Sequence, residues 1–224
     1  MQNEFDYMTL KDFEIRGQDL FTRAMIRFAS NDYLGLSHQP EVLIAGIDAL
    51  EQYGAGAGAS PLIGGHNFLH EQLEQEIAHF LKNEYAITYT SGYAANCSTL
   101  LAMMGKEDIA IMDMFTHASV FDGCLCTNTK RFLHNDIDSL VHVLNNAKSF
   151  KNRFVIIDGV YSQDGDIAFL DQIYTVCKEH DAFLIVDDAH GIGVLGKTGR
   201  GIIDDYDLLD KVDIITGTFS KAFG

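Results

Sequence analysis

The feature that most constrains the fold is an alternation of short apolar runs with longer segments of helical periodicity. Short runs rich in β-branched residues are typical of strands buried in a sheet, and parallel strands joined by helices produce this alternation. The sequence therefore predicts an α/β fold, with a mostly parallel sheet and helices on both faces. The predicted strands cover residues 85–90, 109–113, 131–134, 154–158, 183–187 and 212–218.

The clearest helix is predicted over residues 66–82. Leu69, Leu73 and Ile77 recur there at helical spacing, with Glu and His on the other faces. This pattern predicts a helix with one buried side. Further helices are predicted over residues 12–26, 40–53, 93–104, 117–124, 137–146 and 170–180.

The domain organisation follows from chain length and from the scarcity of proline. A chain of 224 residues can hold one large domain, with or without a small arm. It contains only two prolines, and no proline-rich linker divides it. We interpret residues 1–27 as an N-terminal arm and residues 28–224 as one large domain. The glycine-rich segment 54–61 follows a helix and has the wrong glycine spacing for a dinucleotide fingerprint, so we interpret it as a close-packing loop.

Composition excludes several classes of function. The net charge of −16 makes nucleic acid and anionic membrane surfaces poor partners. No window is long and apolar enough for a transmembrane span, and the N-terminus has no basic-then-apolar signal pattern. The four cysteines lie in apolar segments without a second pair that would complete a zinc site. These features predict a cytoplasmic protein with reduced thiols and no metal.

Lys221 is the first candidate for chemistry. It comes directly after the last predicted strand, between Thr218 and Ser220 on one side and Gly224 on the other. Ligands of open α/β sheets bind at the carboxyl ends of the strands. Burial there would lower the pKa of the amine and make it a nucleophile. The alternative is an ordinary solvated lysine, as most lysines are.

The other predicted strands also end in polar groups. A helix begins at Gly92 and Tyr93, where free backbone N–H groups suit a phosphate, although a plain tight turn is the alternative. His117 opens a helix on the same edge, and Asp187 ends a buried strand, where a carboxylate needs a cationic partner. A phosphate cradle, a flat ring, an anchored aspartate and a lysine amine are the parts of a site for pyridoxal 5′-phosphate (PLP).

A metal-dependent hydrolase is the competing interpretation. Asp164, Asp166, Asp187 and His190 could supply ligands. They lie on different strand ends with no tight ligand spacing, and the acids around Gly165 are equally explained by a turn. The sequence therefore disfavours a metal centre.

A set of longer motifs then points to a family. With these motifs, residues 28–224 resemble the α-oxoamine synthases, which are fold-type-I PLP enzymes. The stretch AMMGKEDIAIMD is more typical of the biotin-pathway members. The motifs are NDYLGLS, GAGAGASPLIGG, TSGYAAN, FTHASVFDG, HND, GVYSQDGDIAFL, IVDDAHGIGVLGKTGRG and GTFSKAFG.

The resemblance implies a role for each matching catalytic position. Lys221 would form the imine with the cofactor and later move the substrate Cα proton. Asp187 would pair with the pyridinium nitrogen, and His117 would stack on the ring. Asn31 lies in the stretch that the family uses near the substrate amino acid.

The resemblance also implies contacts around the rim of the cofactor. His190, with Ser162 nearby, would lie beside the phenolic oxygen of the ring. Gly92 and Tyr93 would contact the phosphate through their backbone, and Thr218 would contact it from the other side.

The implied reaction condenses an amino acid with an acyl-CoA or acyl thioester and usually releases carbon dioxide. Family members are homodimers, so the resemblance also implies a homodimer. One local departure is Ser60-Pro61, where many members have Ser-Arg. That departure weakens an acyl-CoA assignment made through the arginine.

The larger departure is length, because the family continues nearly as far again beyond the lysine. The sequence therefore leads us to expect a large domain truncated after Lys221, without the small C-terminal domain. The alternative to an active acyltransferase is a truncated, catalytically inactive fragment of such an enzyme.

Overall fold

The computed structural model describes residues 7–8, 25–26 and 28–224. Short 3₁₀ turns at Leu36–His38 and Pro61–Ile63 accompany the regular elements. The regular elements are β1 (Tyr7–Met8), β2 (Met25–Ile26), α1 (Pro40–Tyr53), α2 (Phe68–Leu81), α3 (Gly92–Met103), β3 (Ile109–Asp113), α4 (Ala118–Gly123), β4 (Asn128–Phe132), α5 (Ile137–Asn145), β5 (Arg153–Asp158), α6 (Leu170–Glu179), β6 (Phe183–Asp187), α7 (Ile202–Asp205) and β7 (Ile214–Thr216).

The central feature is a five-stranded sheet in the order β4-β3-β5-β6-β7. Every neighbouring pair in it is parallel. All five strands therefore end at one edge, where the following loops meet. The predicted α/β class, with a mostly parallel sheet and helices on both faces, is confirmed.

Alternate residues of each strand pack on opposite sides of this sheet. Ile111, Val155 and Ile157 belong to a core that includes residues of α5 and α6. On the other face, Met112 and Ile156 pack with residues of α3 and α4. Burial on both faces explains why β3, β5 and β6 are apolar runs without alternation, whereas β4, at the edge of the sheet, is polar and mostly exposed.

One predicted strand is wrong. Residues 85–89 form no strand, and the side chains of Tyr85 and Ile87 are 79% and 72% exposed. A strand requires a hydrogen-bonded neighbour, and no other strand of the described residues pairs with this segment. Apolar residues alternate at 85, 87 and 89 as they do in a strand, but no strand in the described part of the chain lies beside them.

Other boundaries differ by a few residues. The strand predicted over 131–134 is β4, which begins and ends earlier, and the strand predicted over 212–218 is limited to β7. Most of the helix predicted over 12–26 lies outside the described residues, but its last two residues form β2 rather than a helix. The division into an arm over 1–27 and a domain over 28–224 stays a prediction.

In the part of the chain that the structure describes, no helix has the length and apolarity needed to cross a membrane.

Candidate active site

Three buried aspartates line the carboxyl edge of the sheet. Asp113, Asp158 and Asp187 are the last residues of β3, β5 and β6. Asp158 and Asp187 are register partners on adjacent strands, and the two residues are only 5% and 8% exposed. Carboxylates at such positions require compensating donors or cations, so this edge is the natural place for a charged ligand.

Asp187 is held by an amide from α3. The Asn96 side chain donates from Nδ2 to Asp187 Oδ2 over 2.6 Å, and the Ala189 backbone N–H donates to Oδ1 over 3.1 Å. Asn96 is itself buried. These bonds fix the orientation of the carboxylate.

The same amide reaches the histidine of the site. Asn96 Nδ2 also donates to Ser119 Oγ over 2.9 Å, and Ser119 Oγ lies 2.7 Å from His117 Nδ1. Since Asn96 donates to the hydroxyl oxygen, the hydroxyl proton is directed at His117 Nδ1. The network therefore places the proton of a neutral His117 on Nε2.

His117 caps α4, and its backbone is tied to β5. Its ring accepts the Ser119 N–H at Nδ1, and its own N–H donates to Asp158 Oδ1 over 3.3 Å. The Tyr93 ring stands edge-on to the His117 ring at a centroid distance of 6.1 Å. The His117 ring is thereby oriented by α3, α4 and β5 together.

Lys221 lies at the start of a chain of polar groups. Its Nζ is 2.7 Å from His190 Nε2, and His190 Nδ1 is 2.6 Å from the Tyr33 hydroxyl. The Tyr33 hydroxyl donates to Asn31 Oδ1 over 3.4 Å. When Lys221 is protonated it can only donate, so His190 then accepts at Nε2 and carries its proton on Nδ1.

Burial lowers the pKa of both Lys221 and His190. For Lys221, desolvation outweighs the attraction of Asp187 and Asp158, which acts in the opposite direction. For His190, burial and the nearby Lys221 charge together outweigh the attraction of Asp187. A lysine amine with a lowered pKa beside a neutral imidazole is suited to nucleophilic attack.

Asp158 is shifted in the opposite direction. Burial, reinforced by the neighbouring Asp187 charge, raises the pKa of Asp158 to about 8, although the His117 N–H acts against this shift. Asp158 therefore keeps its proton to higher pH than an ordinary carboxyl group.

The start of α3 forms a narrow cradle with the loop that follows β7. A Cβ added at Gly92 would lie 3.1 Å from Thr218 Cβ and 3.4 Å from the Gly217 carbonyl oxygen. The Ser91 hydroxyl caps the helix by accepting the Ala94 N–H. The first amides of a helix lack intrahelical acceptors, so those of Gly92 and Tyr93 remain as donors for an anion.

Ser162 lies on the rim of the site. It lines a cavity of about 160 Å³ together with Tyr33, Val160, His190 and Val194. Ser162 is exposed. It shares this cavity with His190, which in turn contacts Lys221.

Most of the predicted site residues are brought to one edge of the sheet. Lys221, His190 and Asn31 are joined by hydrogen bonds through Tyr33. Asp187 and His117 are joined through Asn96, and Gly92 faces Thr218. The roles assigned to these residues stay predictions.

Sequence reasoning missed Asn96, Ser119, Asp158 and Tyr33. Asn96 stands one helical turn after Gly92, a spacing that places it on the same side of α3. Asp158 had the same signal as Asp187, an acid at the end of a buried apolar strand. Ser119 and Tyr33 have no comparable signal, because their contacts depend on distant parts of the chain.

The four residues considered for a metal centre are dispersed. Asp166 is bound by His134, whereas His190 faces Lys221. Within residues 7–8, 25–26 and 28–224, no group of three or more His, Cys, Asp or Glu residues is arranged to hold a metal ion.

The residues present do fit PLP. Gly92, Tyr93 and Thr218 would hold its phosphate, since a side chain at position 92 would fill that cradle. Asp187 would face the ring nitrogen, because it is a buried acid at the end of β6, the neighbour of β7, which leads to Lys221. Lys221 supplies an amine on the same edge.

Sequence comparison agrees with this geometry. The model of the family "Aminotransferase class I and II" matches residues 23–224. The chain belongs to this family. Among curated relatives, it is 43% identical over 206 residues to an 8-amino-7-oxononanoate synthase of Saccharophagus degradans, covering 91% of the chain and 52% of that relative. The resemblance to the α-oxoamine synthases is confirmed.

Solved structures of family members share the fold. A serine palmitoyltransferase of Sphingomonas wittichii superposes with a TM-score of 0.87 at 36% identity, covering 90% of this chain and 51% of that one. A serine palmitoyltransferase of S. paucimobilis, bound to a PLP–myriocin aldimine, gives 0.85 at 35% identity, covering 87% and 50%. The chain spans about half the length of these relatives.

Proposed function

We propose that this chain is the cofactor-binding part of a PLP-dependent acyltransferase, which condenses an amino acid with an acyl-CoA or acyl thioester. The observation that carries the proposal is the convergence of Lys221, Asp187 and His117 at the edge where Gly92 faces Thr218. Each comes from a different connection of the sheet. A lysine amine, a buried acid, an aromatic ring and a phosphate cradle have PLP as their common ligand.

Bound PLP would supply an electron sink for the carbanion formed at the substrate Cα. Asp187, a buried carboxyl group at the end of β6, would hold the ring nitrogen in its protonated form. Asn96 would keep that carboxylate aligned. His117 would cover one face of the ring, because Ser119 and Asp158 fix its orientation.

Lys221 would act first as the covalent anchor and then as the group that moves the Cα proton. Its lowered pKa makes a neutral amine available nearer to neutral pH than for an ordinary lysine. His190, protonated on Nδ1 and held by Tyr33, would accept a hydrogen bond from the amine. Asn31, the last group in this series of hydrogen bonds, would lie near the substrate amino acid.

The substrate class is proposed from the relatives. The 8-amino-7-oxononanoate synthases among them favour a reaction of biotin biosynthesis. The serine palmitoyltransferase structures support a longer acyl thioester as the alternative substrate. Alanine and serine are therefore the first amino acids to test, each with short and long acyl-CoA donors.

The primary test is reductive trapping of PLP with borohydride, followed by peptide mass mapping. We expect one adduct, on Lys221, and none in Lys221→Ala. Lys211→Ala is the matched control, because Lys211 is exposed and hydrogen-bonds only to the local Asp207 carbonyl. An adduct that mapped elsewhere, or that persisted in Lys221→Ala, would contradict the assignment of the lysine.

Turnover is a separate measurement. Release of free CoA with alanine or serine as co-substrate, dependent on Lys221, would support the acyltransferase reaction. Trapping at Lys221 without any turnover would support the cofactor site and count against catalysis by this chain alone.

We also propose that the protein self-associates as a homodimer and acts in the cytoplasm. Helix α1 supports association, since it buries none of its residues and exposes Ile44, Ile47 and Leu50 by more than half. The four cysteines are all free thiols, which suits a reducing compartment. Light scattering of the purified chain tests the dimer, and a monomeric mass at micromolar concentration would contradict it.

A further inference from the structure

His134 lies outside the site described above, between two carboxylates. Its Nδ1 is 2.9 Å from Asp113 Oδ1, and its Nε2 is 2.7 Å from Asp166 Oδ2. The ring stacks on Phe115 at 4.4 Å and meets the Tyr161 ring edge-on at the same distance. The imidazole is therefore fixed in place from four sides.

These contacts specify the protonation state. A carboxylate only accepts hydrogen bonds, so both ring nitrogens must carry a proton to satisfy both partners. His134 is thus an imidazolium, with one fully buried carboxylate and one partly exposed one. A neutral ring could donate to only one of them.

Asp166 connects this cation to the turn that contains Ser162. Its backbone carbonyl accepts the Tyr161 N–H over 3.0 Å, and the Gly165 N–H donates to the Tyr161 carbonyl over 2.8 Å. Asn135 Nδ2 adds a second donor to Asp166 Oδ2, over 3.0 Å. The carboxylate of Asp166 is thus tied to the end of β4, while its backbone closes the turn after β5.

We propose that His134 is a positioning residue for the active site, whose positive charge holds the 161–166 turn closed and so places Ser162 beside His190 and Tyr33. Ser162 is exposed within this turn, so its position depends on how the turn is held. The relevance of Ser162 to catalysis rests on the proposed function, but the closure of the turn does not.

The proposal predicts a dependence on pH. The titratable groups that face His134 are Asp113 from β3, with Asp166 and Tyr161 from the loop after β5. Burial acts to lower the pKa of His134, but the two carboxylates outweigh it, so the net shift is upward. The turn should therefore stay closed to higher pH than the charge of an ordinary histidine would allow, and loosen as pH rises above the His134 pKa.

The test is amide hydrogen exchange resolved by NMR, on the full 224-residue chain without added PLP. Protection of the Tyr161 and Gly165 amides reports the closed turn, and the His134 ring resonances report its charge. In the wild type we expect protection to fall about tenfold across the His134 titration. In His134→Gln, protection should be low at every pH, with no step.

His142→Gln is the matched control, because His142 is an exposed histidine that contacts only Asn146 on its own helix. This variant should keep the wild-type protection of the Tyr161 and Gly165 amides and the fall in that protection across the His134 titration. The proposal would be overturned if His134→Gln showed the same amide protection as the wild type. It would also be overturned if amide protection in the wild type did not fall as His134 titrates.

Asp166→Asn provides a second variant, in case His134→Gln does not fold. Its side chain is 42% exposed, so the substitution leaves the core intact. We expect a lower His134 pKa and reduced protection of the turn, and unchanged values of both would overturn the proposal. Since no cofactor is present, a failure to bind PLP would contradict only the proposed function.

Discussion

Lys221 Nζ lies 2.7 Å from His190 Nε2, so the amine of the site donates to an imidazole that is itself held by the Tyr33 hydroxyl. Both partners have pKa values below their ordinary ones, with burial as the main cause. The pair is therefore biased toward a neutral amine next to a neutral ring. This bias leads to the first prediction.

Trapping of PLP on Lys221 should extend to lower pH than for an ordinary lysine. The reactive form is the neutral amine, and burial shifts the pKa of Lys221 below its usual 10.5. Initial rates of borohydride-trapped adduct, measured from pH 6 to 11, should reach half of their plateau below that value. The rate of PLP trapping on free lysine gives the reference profile, and a coincident profile for Lys221 would contradict the prediction.

Asn96→Ala should destabilise the fold and weaken PLP binding together. The substitution removes the donor to Asp187 Oδ2 and the donor to Ser119 Oγ, both in buried surroundings. An unsatisfied buried acceptor costs about 1–3 kcal/mol, so we expect a loss of about 2 kcal/mol in the free energy of unfolding. Urea titration measures this loss in the free energy of unfolding.

The control for this change is Asn145→Ala, because Asn145 is exposed at the end of α5. That variant should unfold within about 0.5 kcal/mol of the wild type, as expected for a surface position. Equal losses in the two variants would show that the Asn96 contacts contribute nothing specific.

Asp158→Asn should reduce the loss of stability that occurs as pH rises from 3.8 to about 8. The pKa of Asp158 is raised from an ordinary 3.8 to about 8 in the folded chain, so the folded state holds a proton that the unfolded state releases. Stability must then fall as pH rises through that window, by up to about 1.4 kcal/mol per unit. The asparagine keeps an acceptor for the His117 N–H but carries no charge.

Urea midpoints at pH 5 and pH 9 provide the measurement for Asp158→Asn. The difference between the two midpoints should be smaller in the variant than in the wild type. Some difference will remain, because burial also raises the pKa of Asp188 to about 8. Asp171→Asn, on the exposed side of α6, should leave the wild-type difference unchanged.

Gly92→Ala should weaken PLP binding by about tenfold while the chain stays folded. The new methyl group would come within 3.1 Å of Thr218 Cβ and would narrow the cradle at the start of α3. Spectroscopic titration with PLP measures the affinity, and circular dichroism measures folding. Gly46→Ala is the control, because a Cβ there meets nothing within 4 Å.

The sheet was largely predictable because its inner strands β3, β5 and β6 are buried on both faces. Nearly every position of these three strands is inside, so each is a continuous apolar run in the sequence. Residues 85–89 have a pattern suited to a strand, but pairing is a property of two segments and cannot be inferred from one. For the same reason, the length of β7 could not be predicted.

The candidate site was predictable only for residues whose position in the sequence, at or after the end of a predicted strand, indicates a role. Lys221 and Asp187 follow buried strands, and that position alone marks them. The tie between Asp187 and His117 through Asn96 depends on the approach of α3 to β6, which no spacing in the sequence reports. The raised pKa of Asp158 likewise depends on its burial and on its register with Asp187, neither of which a single segment of sequence reports.

The hydrogen bond between Tyr33 and His190 joins positions 157 residues apart, and the bond between Asn96 and Asp187 spans 91. Contacts of such long range form only after the intervening chain has collapsed, which makes them among the last to appear during folding. Binding of PLP therefore indicates that these late contacts have formed. A chain that takes up PLP has brought the start of α3 and the loop after β7 together, and the ligand in turn favours that state by mass action.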